Sequence, residues 1–383
     1  MYLNSTRKHE NGLASGTSSK DMSTTMVQEV VHVGPKPEEK GVKKYLLPAD
    51  IGTDPNFKRK IVWKNVLGFI VLHSGALYGS YLCFTDAKWL TVAFYWILTF
   101  FTGVGITGGA HRLFSHKTYK AKLPLKLLML ILQTMAGQNC MYIWVRDHRL
   151  HHKFSDTDAD PHNAMRGFFF SHMGWLMSRK HPLVIQKGKT IDLSDLEADE
   201  LVMFQKKYYK TLYFIFALII PVYIPVILWG ETEWNSLFIS YFLRYVTLLH
   251  ITWTVNSIAH FYGTKPFDKN MVSVESRLVA LWAGGEGWHN YHHAFPWDYK
   301  ASEFGAGLNA TGFFIDVMAH FGLAYDLKEA SPDMVKKRIL RTGDGTHKYF
   351  GHLVTKNNNN NNNNEKYYEE ESTNIEYEAS KIH

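Results

Sequence analysis

Histidines recur in three tight groups that lie far apart in the chain: His111 and His116; His148, His151 and His152; and His289, His292 and His293. Asn256 and His260 fall between the second and third groups. The second and third groups share the spacing H-x-x-H-H, and helix positions i, i+3 and i+4 lie on one face. Each is therefore expected to present three imidazoles to one point. His111 and His116 are separated by about 140° on an ideal helix of ~3.6 residues per turn, so a helix end or turn is expected there. Neutral imidazole binds transition metals well, and eight such ligands exceed what one four-coordinate ion takes. Two metal ions are the economical reading, and the fold must bring all three groups to one place. His73, His172, His181, His250, His320 and His352 stand outside the groups and read, one by one, as satisfied polar or core residues.

That requirement is severe because long apolar runs separate the groups. Residues 66–84, 90–107, 211–230 and 237–257 each approach the ~20 residues that cross ~30 Å of hydrocarbon. Short polar loops, 85–88 and 231–233, join them into two helical hairpins. Positive charge gathers at 58–60, 117–126 and 206–207 and is sparse in the hairpin loops, which puts both termini and the long middle region in the cytosol. Trp89, Trp96, Trp229 and Trp234 fall near the ends of these runs, as interfacial aromatics do. A fifth apolar stretch, 123–143, contains Lys126, Gln133, Gln138 and Asn139. As a span it would put His111 and His116 across the membrane from the second group, so it reads as an interfacial or protein-buried helix. The expected fold class is all-α: a polytopic membrane protein with four transmembrane helices in two hairpins and a helical cytosolic domain carrying the histidines.

Residues 1–57 are rich in Ser, Thr, Lys and Glu and contain Pro35, Pro37 and Pro48, the composition of a disordered cytosolic arm without a signal peptide. Residues 343–383, with the asparagine tract 357–364, read as a disordered tail, which leaves 58–342 as the folded domain. Two cysteines, Cys83 and Cys140, argue against a disulfide framework and suit a reducing compartment. The net charge of +7 has no nucleic-acid motif beside it. Membrane lipid headgroups or an acidic substrate are the expected partners, not nucleic acid. A paired, nitrogen-rich site at a membrane face favours redox-active iron, although zinc and copper suit the same ligands.

The runs Gly109 to His116, Arg146 to His152 and Gly287 to His293 resemble the three histidine boxes of membrane fatty acyl-CoA desaturases, most like the stearoyl-CoA, or delta-9, branch and its insect members. Asp160-Pro161-His162-Asn163, Arg166 to Phe170, Phe295 to Tyr299 and Arg341 to Thr346 extend the likeness over roughly residues 58–347. The resemblance implies oxygen-dependent removal of two hydrogens from adjacent methylenes of a saturated long-chain acyl-CoA, stearoyl or palmitoyl, giving a cis alkene. It implies two iron ions, held by His111, His116, His148, His151, His152, His260, His289, His292 and His293, with Asn256 acting through water. It implies electrons from cytochrome b5 and its NADH-dependent reductase, and residence in the endoplasmic reticulum membrane. No haem-binding His-Pro-Gly-Gly run occurs in the chain, so the donor is expected to be a separate protein.

The same resemblance implies that the CoA head lies against Asn65, Asn139, Arg146, Asp147, Arg179 and Lys180, and that a bent acyl tunnel is lined by Gln138, Trp144, Thr252 and Trp253. Thr99 and Gly103 are expected at the deep end of that tunnel, and Glu286, Asp156 and Asp160 as partners of ligand N–H groups. Phe114 in the first box, Ile143 before Trp144 and the run Val272 to Glu275 depart from the family pattern, which leaves delta-11 or another pheromone-type position open beside delta-9. A membrane di-iron hydroxylase or sterol oxidase would use similar boxes. A zinc-binding membrane receptor or transporter would also combine spans with histidines, but its ligands would sit within the bundle.

Overall fold

A computed structural model describes residues 51–303 and 308–354 of the 383. Helices dominate: α1 (Trp63–Thr85), α2 (Trp89–Ser115), α3 (Leu123–Ala136), α4 (Met141–Phe154), α5 (Phe168–His172), α6 (Glu200–Trp229), α7 (233–256), α8 (Ile258–Phe261), α9 (Arg277–Trp282), α10 (His289–Ala294), α11 (Ala310–His320) and α12 (Pro332–Thr342). A minimal two-stranded antiparallel sheet, β1 (Lys120–Ala121) with β2 (Ala324–Tyr325), pairs Lys120 with Tyr325 and Ala121 with Ala324.

Among the described residues α1, α2 and α6 are long and apolar enough to cross a membrane. They expose Leu67, Val71, Leu77, Ile97, Ile227 and Leu228, a density of large apolar side chains that water would not tolerate but hydrocarbon solvates. The fourth expected span falls within α7, which has the length but not the same apolarity, because Arg244 and His250 interrupt it. Arg244 is fully buried and donates to the carbonyls of Ser240, Met135 and Ala217 at 2.9, 3.0 and 3.1 Å. A guanidinium spent on backbone oxygens ties α7 to α3 and α6. α7 also packs along α1, where Tyr78 meets Phe238 edge to face with ring centres 4.8 Å apart.

The two hairpin loops are joined to each other. Glu231 accepts from the Lys88 backbone N–H at 2.9 Å and the Thr91 hydroxyl at 2.6 Å, while Lys88 Nζ donates to the carbonyls of Trp229 and Gly230.

The apolar stretch 123–143 is not one helix. α3 ends at Ala136 because Gly137 adopts a left-handed conformation, φ 73°, which caps the helix and which side chains with a Cβ disfavour. The chain turns through Gln138 and Asn139 and restarts as α4. α3 lies against α2 so closely that a Cβ on Gly105 would come within 2.6 Å of the Gln133 backbone nitrogen. The core beneath is built from Val104, Leu125, Met129 and Ile315.

The folded part also runs beyond the expected limits of 58 and 342. Ile51 packs with Leu150 and Phe154, and Asp54 N–H donates to Asp158 at 2.9 Å. At the other end Val354 joins Phe267, Tyr291, Val335 and Ile339 in a second core. The rest of the expected arm and tail, including the asparagine tract, lies outside the described residues.

Candidate metal centre

The last stretch of α2, Gly105–Ser115, is wound as a π-helix. Its bonds run from residue i+5 to i, as in His116 N–H to the His111 carbonyl at 3.1 Å. This wider turn brings residues five apart nearer to one face, so His111 and His116, far apart on an α-helix, stand with ring centres 5.0 Å apart. The expected helix end does occur at His116, but the widened turn before it is what aligns the pair.

The other two groups behave differently from expectation: neither aims its three imidazoles at one point. His148 and His152 of α4 join His111, His116 and His292, whereas His151 joins His260, His289 and His293. On α10 the division is reversed, with His289 and His293 in the second cluster and His292 in the first. A side chain at i+3 lies on the other flank of the stripe defined by i and i+4, and two clusters side by side use both flanks.

Within each cluster the Nε2 atoms face one another. In the first, His116 meets His148 at 2.8 Å, and His292 meets His111 at 2.9 Å and His152 at 3.0 Å. In the second, His289 meets His260 at 3.2 Å and His293 at 3.1 Å, and His293 meets His151 at 3.3 Å. A neutral imidazole nitrogen carries either one hydrogen or one lone pair, so this many opposed nitrogens cannot all be satisfied by hydrogen bonds. Donors bound at about 2.1 Å to a shared cation would stand roughly 3 Å apart. The side chains therefore fit a pair of transition-metal ions, five ligands for one and four for the other.

Protonation agrees with that use. Burial pushes His116, His148, His152, His289, His292 and His293 well below the ordinary imidazole value, reinforced by neighbouring rings or arginines, so each keeps a lone pair to give. Three carboxylates orient the remaining rings from behind. Glu286 lies 2.6 Å from His111 Nδ1, Asp160 lies 2.8 Å from His151 Nδ1, and Asp156 lies 3.2 Å from His260 Nδ1. A proton held on Nδ1 by a carboxylate leaves Nε2 as the ligand atom. Burial opposes ionisation of Glu286, but His111 and Arg112, the latter 2.8 Å away, outweigh it and hold the carboxyl at about 2. Asp160 stays below the usual carboxylate range for the same kind of reason, with His151 as its main counter-charge.

His162 was not singled out as a site residue by spacing, yet its ring stands 4.5 Å from that of His151 and shares Asp160 with it. The one signal for it was the Asp160-Pro161-His162-Asn163 run. Arg112, fully buried and bound to Glu286 and the Tyr299 carbonyl, was also missed.

Two cavities open onto the clusters. The larger, about 260 Å³, runs between α2, α7 and α9 past Thr99 and Gly103 to His111, His148 and His289. The smaller, about 170 Å³, is lined by Gln138, Asn139, Asp147, Trp253 and their neighbours. Trp144, His148, Thr252 and Asn256 line both, so the two chambers meet beside the first cluster. Gln138 spans that junction, donating to Thr252 Oγ1 at 2.8 Å and accepting from Trp144 Nε1 at 3.4 Å. Asp147 bridges Arg146 and Lys180 at 2.7 and 2.5 Å on an adjoining groove. Asn65 and Arg179 line neither cavity: Asn65 donates to the Leu176 carbonyl at 2.7 Å, and the Arg179 backbone N–H donates to the Lys60 carbonyl at 2.9 Å.

Comparison with known proteins follows the same lines. Residues 87–301 match the fatty acid desaturase family. The chain is 56% identical over 296 residues to an acyl-CoA Delta-9 desaturase of Acheta domesticus, covering 77% of this chain and 82% of that one. It is 55% identical over 296 residues to the stearoyl-CoA desaturase of Homo sapiens, again 77% of this chain and 82% of the other. An acyl-CoA Delta12-desaturase of Acheta domesticus is 54% identical over 296 residues, 77% of this chain and 83% of its own. With paired histidine clusters at the end of an apolar cavity and likeness of this extent, the chain belongs to the fatty acid desaturase family.

Proposed function

We propose that the protein is an oxygen-dependent acyl-CoA desaturase that introduces a cis double bond, at the delta-9 position, into stearoyl- or palmitoyl-CoA. The observation that carries this reading is the meeting of two chambers, the larger mostly apolar, with the first histidine cluster at Trp144, His148 and Thr252. Two iron ions, bound by the nine clustered histidines with Asn256 contributing through water, would supply the oxygen activation that an unactivated C–H bond demands.

The chain's own residues do the rest. The Trp144–Gln138–Thr252 link holds the walls at the bend, so an acyl chain lying there offers one pair of methylenes to the cluster in a cis-like conformation. Apolar walls at Leu248, Ile251 and Val255 exclude water and stray reductant. At the outer groove Arg146 and Lys180 give charge-assisted contacts to the phosphates of CoA, with Asn65, Asn139, Asp147 and Arg179 around them. Trp253 backs the bend.

Electrons come singly from cytochrome b5, reduced by its NADH-dependent reductase. The protein sits in the endoplasmic reticulum membrane with four spans, α7 being the fourth, and with both termini in the cytosol. The charge pattern supports this topology, because the basic stretches flank the spans on the side of the histidines.

Expression in yeast lacking its own delta-9 desaturase, with double bonds located by mass spectrometry of dimethyl disulfide adducts, tests the reading. Palmitoleate and oleate, with growth restored, are the expected result, and absence of any alkene from iron-loaded protein with working cytochrome b5 overturns it. A second position is favoured by the relative named a Delta12-desaturase, and a shifted double bond in the same assay would select it.

A further inference from the structure

Gln133 is one of the polar residues that interrupt the apolar stretch 123–143, and the proposed chemistry leaves it without a task. It is buried, as are Thr134 beside it and Gln205 of α6. None of the three lines either cavity. A buried amide is costly unless its donors and acceptors are matched, and here they are matched in one relay. Gln205 Oε1 accepts from the Met141 backbone N–H at 2.8 Å. Its Nε2 donates to Gln133 Oε1 at 2.7 Å and to Thr134 Oγ1 at 2.8 Å. Gln133 Nε2 donates in turn to the Asn139 carbonyl at 2.7 Å.

Both ends of the relay fall on the turn between α3 and α4. Met141 begins α4, so its N–H has no partner inside that helix, and Gln205 supplies one. A further tether comes from α7, where the Tyr245 hydroxyl donates to the Gly137 carbonyl at 3.0 Å. Gly137 and Asn139 both have positive φ, 73° and 71°, which only a few residue types adopt at little cost. Gln138 lies between these two and is held from both sides. It is also the residue that spans the junction of the two cavities, through Thr252 and Trp144. Its place there is thus set by buried amides that touch neither cavity.

We propose that Gln205, acting through Gln133 and Met141, is a positioning residue that fixes where the acyl chain bends and hence which pair of methylenes is desaturated. The proposal rests on the desaturase reading for the reaction served, though not for the tethering of the turn. Methylenes along a saturated chain are chemically alike, so the double-bond position is decided by register against the clusters. Carbon–carbon bonds are about 1.5 Å long, and a bend displaced by that much offers the next pair. The turn cannot move so far while Met141 N–H and the Asn139 carbonyl stay paired, and leaving them unpaired in a buried site is costly. Further along α4, His148, His151 and His152 are committed to the two clusters. Loss of the relay therefore loosens the turn and Gln138 before it disturbs the ligands.

The test uses the full-length protein with Gln205→Met and Gln133→Met, which keep an unbranched side chain but remove its polar atoms. Ile239→Ala, in the remote core of Leu82 and Tyr95, controls for lost stability alone. Products are located by mass spectrometry after expression in yeast lacking its own delta-9 desaturase, and hydrogen exchange is followed on purified protein. Both glutamine variants should keep their metal, and the share of alkene at positions next to the wild-type one should rise roughly 10-fold. The double variant should go no further than Gln205→Met, because one relay is lost in each. Amides of residues 137–143 should exchange faster in both, and those of the control should not. A folded Gln205→Met with the wild-type product pattern overturns the proposal, as does an Ile239→Ala that scatters the double bond equally. If Gln205→Met does not fold, Gln133→Met decides by the same outcomes. Wild-type protein that makes no alkene sinks the desaturase reading instead, while unchanged exchange at 137–143 in the variants would still overturn the tether.

Discussion

His111 and Glu286 meet at 2.6 Å, ring Nδ1 to carboxylate, across the interface between a membrane helix and the loop that precedes the third histidine group. The same carboxylate takes the guanidinium of Arg112, so one buried anion orients a ligand and neutralises a buried cation. Glu286→Gln keeps the shape but removes the charge. It should weaken metal binding about 10- to 100-fold and lower the thermal midpoint by leaving Arg112 without a counter-ion. Metal content after dialysis against a graded chelator series measures the first effect, and an unchanged content would count against the orienting role.

Gly103 lines the larger cavity, and a Cβ there would meet only Leu248 at an ordinary 3.5 Å. Gly103→Leu should therefore fold and fill the deep end of the cavity. Its product profile should move from eighteen-carbon toward shorter acyl chains, read by gas chromatography of the lipids it makes. A profile identical to the wild type would mean that the chain does not reach this wall.

Glu275 carries a pH signature. Burial, with Glu303 adding repulsion, pushes its carboxyl up to about 8 from an ordinary 4.5, although Oε1 accepts from Tyr291 N–H at 2.8 Å. The folded state thus binds a proton that the unfolded chain gives up. Its contribution to stability is complete below the ordinary carboxylate value, shrinks as pH rises and is lost above about 8. Glu275→Gln should match the wild type in thermal midpoint at ~pH 4 and exceed it by a margin that grows up to about pH 8. Parallel melting curves across that range would reject the assignment.

Six cluster imidazoles are held neutral well below their ordinary value. Protons therefore compete poorly for the ligand atoms, and metal should be retained at pH 6, where a free imidazole with a pKa near ~6.5 is mostly charged. Stepwise acidification with metal analysis checks this. Loss beginning above pH 6.5 would show that the apo rings titrate normally.

Which histidines gather into the clusters was legible from spacing, because H-x-x-H-H twice over reads as a ligand set. How they are shared was not. The division of His148 and His152 from His151 depends on where a second cluster lies, and nothing local to α4 encodes that. The π-helical turn at Gly105–Ser115 was likewise hidden, since its glycines allow a wide turn and close packing on α3 without specifying either. The spans emerged from apolar runs, yet α3 was read seven residues too long because Gly137, a terminator, sat among apolar neighbours. His73, His172 and His250 were dismissed singly, and only the packing of three helices joined them.

The sharing of α4 and α10 between the two clusters makes each helix a ruler. Cluster one takes positions i and i+4 of α4 and cluster two takes i+3, with the reverse on α10, so two helices fix the same interval. That interval is set by the pitch of the peptide backbone, not by a bridging side chain that could swing. Moving one histidine cluster relative to the other would therefore require re-cutting both helices at once.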